Sequence, residues 1–156
     1  HKDSGFLTLL LQDEVGGLSA ETPTGQWLDI APIPDSLVVN IGELLQIMTH
    51  NYFIAAPHRV TNANAQTVRY SSAYFYSPDL DTPLDPLPIA QSLRDAVHKS
   101  PAHREAKVMA SRAELVEGAG GMSATLGAAR FGDKYWQRWV RSYPDIAQKF
   151  YPHHST

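Results

Sequence analysis

A proline-rich segment divides the chain and limits what each part can form. Residues 77–88, SPDLDTPLDPLP, contain four prolines. Proline lacks the backbone N–H group that a strand ladder or a helix interior requires, so this segment is neither a central strand nor a helix interior. We expect it to cross the surface between two parts of different secondary structure.

Short strands are predicted before this segment. Apolar and β-branched runs alternate there with turn signals such as TPTG at 22–25. The run at 67–76, TVRYSSAYFY, is rich in aromatic and β-branched residues and is the strongest strand prediction. The pattern predicts strands or extended pieces at 6–12, 18–21, 26–30, 36–41, 52–55, 59–61 and 67–76, with a short helix at 43–49.

Helices are predicted after it. Helical spacing indicates a short helix at 89–97, a longer one at 102–117 and two tail helices at 135–140 and 144–151. Many short strands followed by helices indicate a mainly β core with C-terminal helices. We therefore interpret residues 1–88 as β core, and residues 89–156 as a helical extension of the same domain that packs on it.

The first tail helix has an aromatic side and a cationic side. We expect the aromatic residues to pack on the β core and the cationic residues to lie in solvent. The aromatic residues are Tyr135, Trp136 and Trp139, and the cationic residues are Lys134, Arg138 and Arg141.

Composition argues against several functions. Charged residues are 19% of the chain and the net charge is −3, whereas a nucleic-acid-binding surface is normally basic. No apolar run approaches the roughly 20 residues that span a bilayer. We expect neither a nucleic acid nor a membrane as partner. The chain has no cysteine, which excludes a thiol nucleophile and thiolate ligands and fits a cytoplasmic location.

Three residues form a candidate metal site. His1 and Asp3 precede an apolar strand, and residues two apart on a strand share a face. His58, in AAPHRV, lies between a proline and a short apolar strand and is the candidate third ligand. Two histidines and one carboxylate on one face of an octahedron suit a non-haem Fe(II) that activates dioxygen.

A second polar pair follows His58. Arg69 and Ser71 share one face of the predicted strand at 67–76. An arginine fork beside a hydroxyl can hold a carboxylate through charge-assisted hydrogen bonds. The acid 2-oxoglutarate has a suitable shape, because its keto-acid end can chelate a metal while its distal carboxylate binds Arg69.

Longer stretches around these residues carry a family resemblance. They are HKDSGFLTLLLQDEVGGL, GQWLDIAPIPDSLVVNIGELLQIMTHNYFIAAPHRV and RYSSAYFY, which together run from His1 to about Tyr76. They resemble the C-terminal half of the isopenicillin N synthase-like Fe(II)/2-oxoglutarate-dependent dioxygenases. The tail FGDKYWQRWVRSYPDIAQKFYP is similar to bacterial members. Because the family folds as a double-stranded β-helix, a cupin-like jelly roll, the resemblance implies a partial core of this type.

The resemblance implies roles for the two polar groups. His1, Asp3 and His58 match the iron ligands, while Arg69 and Ser71 match the pair that binds the distal carboxylate of 2-oxoglutarate. The implied cofactors are Fe(II), the co-substrate 2-oxoglutarate and O2. The implied reaction is hydroxylation, or a related oxidation, of a small organic substrate, with release of succinate and carbon dioxide.

The resemblance also implies roles for four apolar residues. Leu10, Leu18 and Val60 match positions that line the co-substrate pocket, although ordinary core packing explains them equally well. Phe75 matches a position that could face the primary substrate, but core packing is the stronger interpretation. The family also has an N-terminal half that this sequence lacks, so we expect such a half as a partner of this chain.

Three alternatives remain open. In a family oxidase, Arg69 and Ser71 would hold the carboxylate of the substrate itself, without 2-oxoglutarate. A truncated, non-catalytic β-fold would bind only a metal or a partner. A cupin-like hydrolase would hold zinc or manganese instead of iron.

Overall fold

The fold is described from a computed structural model, which covers residues 1–62, 66–101, 103 and 130–153. The predicted helix at 102–117 lies outside these residues, apart from position 103. Within them, no helix is both long enough and apolar enough to cross a membrane.

In the described residues, six strands form two antiparallel, three-stranded sheets. The first sheet has the order β4–β1–β6 and the second has the order β3–β2–β5. The strands are β1 (Leu7–Gln12), β2 (Leu18–Glu21), β3 (Trp27–Asp29), β4 (Val38–Ile41), β5 (His58–Val60) and β6 (Ser71–Tyr76).

Glycine-containing turns connect these strands where the sequence predicts them. In the β2–β3 hairpin, Thr22 N donates to the carbonyl of Gln26 at 2.7 Å, and Gly25 has a φ of +83°. Between β1 and β2, Gly16 and Gly17 have φ values of +78° and +84°. Only glycine adopts such angles without strain, which explains why both turns contain it.

Four helices accompany the sheets in the described residues. They are α1 (Glu43–Met48), α2 (Gln91–Lys99), α3 (Phe131–Ser142) and α4 (Pro144–Phe150). The helix predicted at 135–140 is therefore longer than its periodicity indicated, and it begins at Phe131, which is 3% exposed.

A cluster of apolar side chains joins α1, the proline-rich segment and α3. Leu44 and Met48 of α1 pack there with Leu84 and Phe131. The proline-rich segment forms neither a helix nor one of the six strands, as predicted, but it does more than cross the surface. Leu84 is 2% exposed, because its side chain fills the space between the two helices.

Two predicted extended pieces differ from the structure. The strand predicted at 67–76 begins only at Ser71. The piece predicted at 52–55 is not a strand, because the chain turns immediately before it: His50 and Asn51 both have positive φ values, +51° and +64°.

The aromatic side of the first tail helix, α3, also differs from the prediction. Tyr135 is half exposed, while Trp136 and Trp139 stack on each other with ring centroids 5.1 Å apart. Both indole rings contact Tyr151, which follows α4. Phe131, rather than these aromatic residues, supplies the buried ring in the apolar cluster.

Candidate metal centre

The three candidate ligands come from two separate segments of the chain. His1 and Asp3 lie before β1, and His58 is the first residue of β5. His58 N donates to the carbonyl of His1 at 2.9 Å, and the amino group of His1 donates to the carbonyl of His58 at 3.2 Å. The segment 1–3 is not part of a strand ladder, so strand geometry does not bring His1 and Asp3 to one face, but these two bonds place the segment beside β5.

The ligand atoms converge. Asp3 Oδ1 is 3.5 Å from His1 Nε2 and 3.5 Å from His58 Nε2, and one ligand atom from each residue lies within 4.8 Å of the others. Asp3 and His58 are 7% and 8% exposed, whereas His1 is exposed. Buried carboxylate and imidazole groups are normally paired or metal-bound, so this cluster has the donor chemistry of a divalent metal site.

Hydrogen bonds orient two of the ligands. The carbonyl of Ala56 lies 3.2 Å from Nδ1 of His58, and the tautomer protonated at Nδ1 donates to it. In that tautomer the lone pair of Nε2 is available to a metal. Hydrogen bonds to the other ring nitrogen commonly fix metal-bound histidines in this tautomer. Asp3 is held by its other oxygen, because Asn40 Nδ2 donates to Oδ2 at 3.3 Å.

The first turn of α1 holds the backbone of the ligand segment. Glu43 N donates to the carbonyl of Asp3 at 2.8 Å, and Leu44 N donates to the carbonyl of Gly5 at 3.2 Å. The first N–H groups of a helix have no partner within the helix. In α1 these groups bind the segment that carries His1 and Asp3.

Arg69 and Ser71 also meet, as the sequence predicts. Arg69 Nη1 donates to Ser71 Oγ at 2.9 Å. Arg69 Nε donates to the carbonyl of Gly16 at 2.6 Å, and Nη2 donates to Gln12 Oε1 at 3.2 Å. These three partners are all neutral, so none of them compensates the charge of the guanidinium.

Strand register places the metal-ligand cluster and the Arg69–Ser71 pair on the same side of the first sheet. Residues directly opposite each other on paired strands share a face. Thr8 of β1 lies opposite Asn40 of β4 and opposite Phe75 of β6, and Gln12 of β1 lies opposite Ser71 of β6. Positions 8 and 12 lie an even number of residues apart on β1, so all five side chains share one face. Asn40 binds Asp3, which makes this the face toward the ligand cluster.

The second sheet presents His58 in the same manner. The register pairs His58 with Ala20 and Val60 with Leu18. Leu18 and Val60 therefore lie on the same face as the candidate ligand. A cavity of about 190 Å³ separates the two sheets here and is lined by residues of both, including Leu18, Asn40 and His58.

Comparison with known proteins identifies the family. A model of the 2OG-Fe(II) oxygenase superfamily matches residues 1–78, which is half of the chain. This chain belongs to that superfamily. The predicted resemblance is thereby confirmed at the level of the superfamily.

Relatives of this oxygenase chain include plant enzymes. Gibberellin 2-beta-dioxygenase 6 of Oryza sativa subsp. japonica is 48% identical over 82 residues, which cover 53% of this chain and 22% of that protein. Scopoletin 8-hydroxylase of Arabidopsis thaliana is 41% identical over 88 residues, which cover 56% of this chain and 24% of that protein. The chain thus spans less than a quarter of the length of these curated relatives.

A solved structure confirms the fold. A full-length protein of Neurospora crassa, crystallised in complex with alpha-KG and 5-formyluracil, is 34% identical with a TM-score of 0.53. The match covers 68% of this chain and 36% of the fungal protein. The mainly β fold with a double-stranded β-helix core, predicted for this oxygenase chain, agrees with that similarity and with the two facing sheets.

The apolar site predictions have mixed outcomes. Leu10 and Leu18 are buried, at 9% and 2% exposed, on the faces that look toward the ligand cluster. Val60 and Phe75 lie on the same faces but are 49% and 64% exposed, so core packing is wrong for both. Contact of these four residues with 2-oxoglutarate or substrate stays a prediction.

Three contacts of the site escaped sequence reasoning. Asn40 binds Asp3, Gln12 binds Arg69, and Arg138 of α3 reaches the ligand segment. Arg138 was expected to be solvated, but it donates to Glu43 Oε2 at 3.0 Å and to the carbonyl of Lys2 at 3.4 Å. A polar Asn40 in the apolar run VVNI was a signal for the first contact; the other two had none.

Proposed function

We propose that this chain supplies the metal and 2-oxoglutarate site of an oxygenase that oxidises a small organic substrate. The observation that carries the proposal is the convergence of His1, Asp3 and His58, with Arg69 anchored on the same side of the sheet. A metal position and a carboxylate position on one face of the same sheet suit a co-substrate with two different ends.

His1, Asp3 and His58 would hold the metal. Their two imidazole nitrogens and one carboxylate oxygen would supply the facial donor set that suits non-haem Fe(II), which leaves positions open for other ligands. When bound, Fe(II) with 2-oxoglutarate supplies oxidation by dioxygen coupled to release of succinate and carbon dioxide. The buried Asp3 carboxylate would balance part of the charge of a bound metal.

Arg69 and Ser71 would bind the distal carboxylate of 2-oxoglutarate. The guanidinium is held by the carbonyl of Gly16 and the amide of Gln12, so little conformational freedom is lost when a carboxylate binds. Because these partners are neutral, the positive charge is available to the anion. The neighbouring hydroxyl of Ser71 adds a second donor.

The cavity between the sheets would place apolar side chains beside one of the ligands, His58. Its lining is mostly aliphatic, with Leu18, Ile30 and Val38 beside the ligand His58. Small organic substrates fit this proposal, as do the molecules that the relatives and the fungal complex are named for: a gibberellin, scopoletin and 5-formyluracil. Their chemical variety leaves the individual substrate open.

Succinate production is the decisive measurement. We expect the intact protein to bind Fe(II) and to form succinate from 2-oxoglutarate while consuming oxygen. His58→Ala should abolish iron binding and turnover. Arg69→Ala should raise the KM for 2-oxoglutarate about 10- to 100-fold, the value of a charge-assisted hydrogen bond. Arg59→Ala is the matched control, since Arg59 lies on β5 but stacks on Trp27.

Other outcomes would identify the alternatives. Substrate oxidation without succinate would indicate an oxidase that uses Arg69 for the substrate carboxylate. Bound iron without any consumption of oxygen or 2-oxoglutarate would indicate a non-catalytic metal-binding fold. Zinc or manganese with hydrolytic activity would indicate a hydrolase. Oxygen uptake that depends on the keto acid and survives in His58→Ala would show that the ligand assignment is wrong.

A further inference from the structure

The two oxygens of the Asp3 carboxylate have different surroundings. Oδ1 faces both histidines, at 3.5 Å from His1 Nε2 and from His58 Nε2. Oδ2 accepts a hydrogen bond from Asn40 Nδ2 at 3.3 Å. Asp3 is 7% exposed, so this amide takes the place that bulk water would have at an exposed carboxylate.

A short piece of chain holds Asp3 from two directions. Asn40 lies on β4, where register with Thr8 of β1 fixes it on the face toward the ligand cluster. Three residues later, Glu43 N donates to the backbone carbonyl of Asp3. The side chain and the backbone of Asp3 are thus both fixed from the segment 40–43.

We propose that Asn40 is a positioning residue that keeps Asp3 a one-oxygen ligand. The inference rests on the proposed function, because it concerns the metal that His1, Asp3 and His58 would hold. A carboxylate can bind a metal through one oxygen or through both. A hydrogen bond that occupies Oδ2 favours binding through Oδ1 alone.

The number of bound oxygens matters for the co-substrate. A facial set of two histidines and one carboxylate works because the remaining positions stay open. If both oxygens of Asp3 bound the metal, the second oxygen would fill one of those positions. A chelating keto acid would then have to displace that oxygen. Loss of Asn40 should therefore weaken 2-oxoglutarate binding at the metal more than it weakens metal binding itself.

Two variants that lack the amide donor test this role. Asn40→Leu replaces the amide with an apolar group of similar size, and Asn40→Ala removes the amide altogether. The matched control is Thr8→Val on the neighbouring strand. Thr8 is 2% exposed, lies directly opposite Asn40, and has a hydroxyl that makes no hydrogen bond within the described residues.

The probe is Co(II) added to the intact apo-protein without iron, because its absorption spectrum reports the coordination number. We expect both Asn40 variants to bind Co(II) about tenfold or more weakly, as is usual when an outer partner of a ligand is removed. Their Co(II) spectra should differ from wild type before 2-oxoglutarate is added, and their affinity for 2-oxoglutarate should fall by a larger factor. Thr8→Val should match wild type in all three measurements.

Two results would overturn the inference while the proposed function stands. One is wild-type Co(II) affinity and spectrum in both Asn40 variants. The other is an equal change in Thr8→Val, which would assign the effect to side-chain packing between β1 and β4. If wild-type protein binds Co(II) no better than His58→Ala does, the proposed metal centre fails and the role of Asn40 fails with it.

Discussion

Replacing Gly42 with alanine should separate the helix α1 from the segment that carries His1 and Asp3. Gly42 is the N-cap of α1 and is buried against the backbone of Gly5. A Cβ atom at position 42 would lie 2.5 Å from the carbonyl carbon of Gly5 and closer still to its oxygen. Both atoms belong to the backbone, so no side-chain rotation can relieve the contact.

The cost follows from these distances. Ordinary contacts begin at 3.4 Å, so the carbonyl carbon must move away by about 0.9 Å and the carbonyl oxygen by more. Overpacking of this kind costs about 1–3 kcal/mol. The shift also strains the bonds from Gly42 N to the carbonyl of Phe6, at 3.0 Å, and from Glu43 N to the carbonyl of Asp3, at 2.8 Å. Each is worth about 1 kcal/mol, and we expect a total destabilisation of about 3 kcal/mol.

Thermal unfolding and metal titration measure the two consequences separately. A loss of about 3 kcal/mol lowers the Tm by roughly 6–12 °C for a chain of this size. Leu84→Ala is the control, since Leu84 is 2% exposed in the apolar cluster and its truncation costs about 2–5 kcal/mol. At a temperature where both variants are folded, Gly42→Ala should bind Co(II) more weakly than wild type, whereas Leu84→Ala should bind it normally.

The reasoning is refuted if Gly42→Ala unfolds at the wild-type temperature. It is also refuted if the variant is destabilised but binds Co(II) as wild type does. The first result would mean that α1 does not press on Gly5. The second would mean that the helix does not set the position of the ligand segment.

Two further substitutions test contacts around the site. Arg138→Met removes the donors to Glu43 and to the carbonyl of Lys2. Because this ion pair is partly exposed, we expect the free energy of unfolding to fall by less than about 1 kcal/mol, and by less at high salt. Urea unfolding at two salt concentrations measures both effects. An unchanged unfolding midpoint at low salt would contradict this expectation. Arg141→Met, on the same helix, is the control. Gln12→Leu removes one acceptor of Arg69 and should raise the KM for 2-oxoglutarate roughly three- to tenfold without changing kcat, in succinate assays. A change confined to kcat would contradict that role.

The sequence predicted local structure well where side-chain periodicity and turn chemistry agreed. Leu18–Glu21 was predicted to the residue, because this four-residue segment lies between a Gly-Gly turn and a Thr-Pro-Thr-Gly turn. In contrast, the strand predicted at 26–30 does not bury its large apolar residues, because Trp27 and Leu28 are 37% and 53% exposed. Arg59 stacks over Trp27 at 4.0 Å, a contact that no pattern within that strand encodes.

The residue types predicted the candidate ligands more fully than they predicted the hydrogen bonds that orient them. The residue pattern of His1, Asp3 and His58 predicted a metal site, and these side chains do meet. The hydrogen bonds that orient them depend on strand register and helix placement, which are set by contacts between distant residues. Asn40 is 37 residues from Asp3, and Arg138 is 136 residues from Lys2. Single-sequence periodicity carries no information at such separations.

The pairing of His1 with His58 has a thermodynamic consequence beyond catalysis. Ligands from the two segments close a loop that contains β1 to β4 and α1. A cation bound to both segments would hold this loop closed in the folded chain, and the ion would be lost when the loop opens. Since such an ion binds the folded state preferentially, its concentration also sets how much of the chain stays folded. The same three side chains would thus tie resistance to heat and proteolysis to the supply of metal.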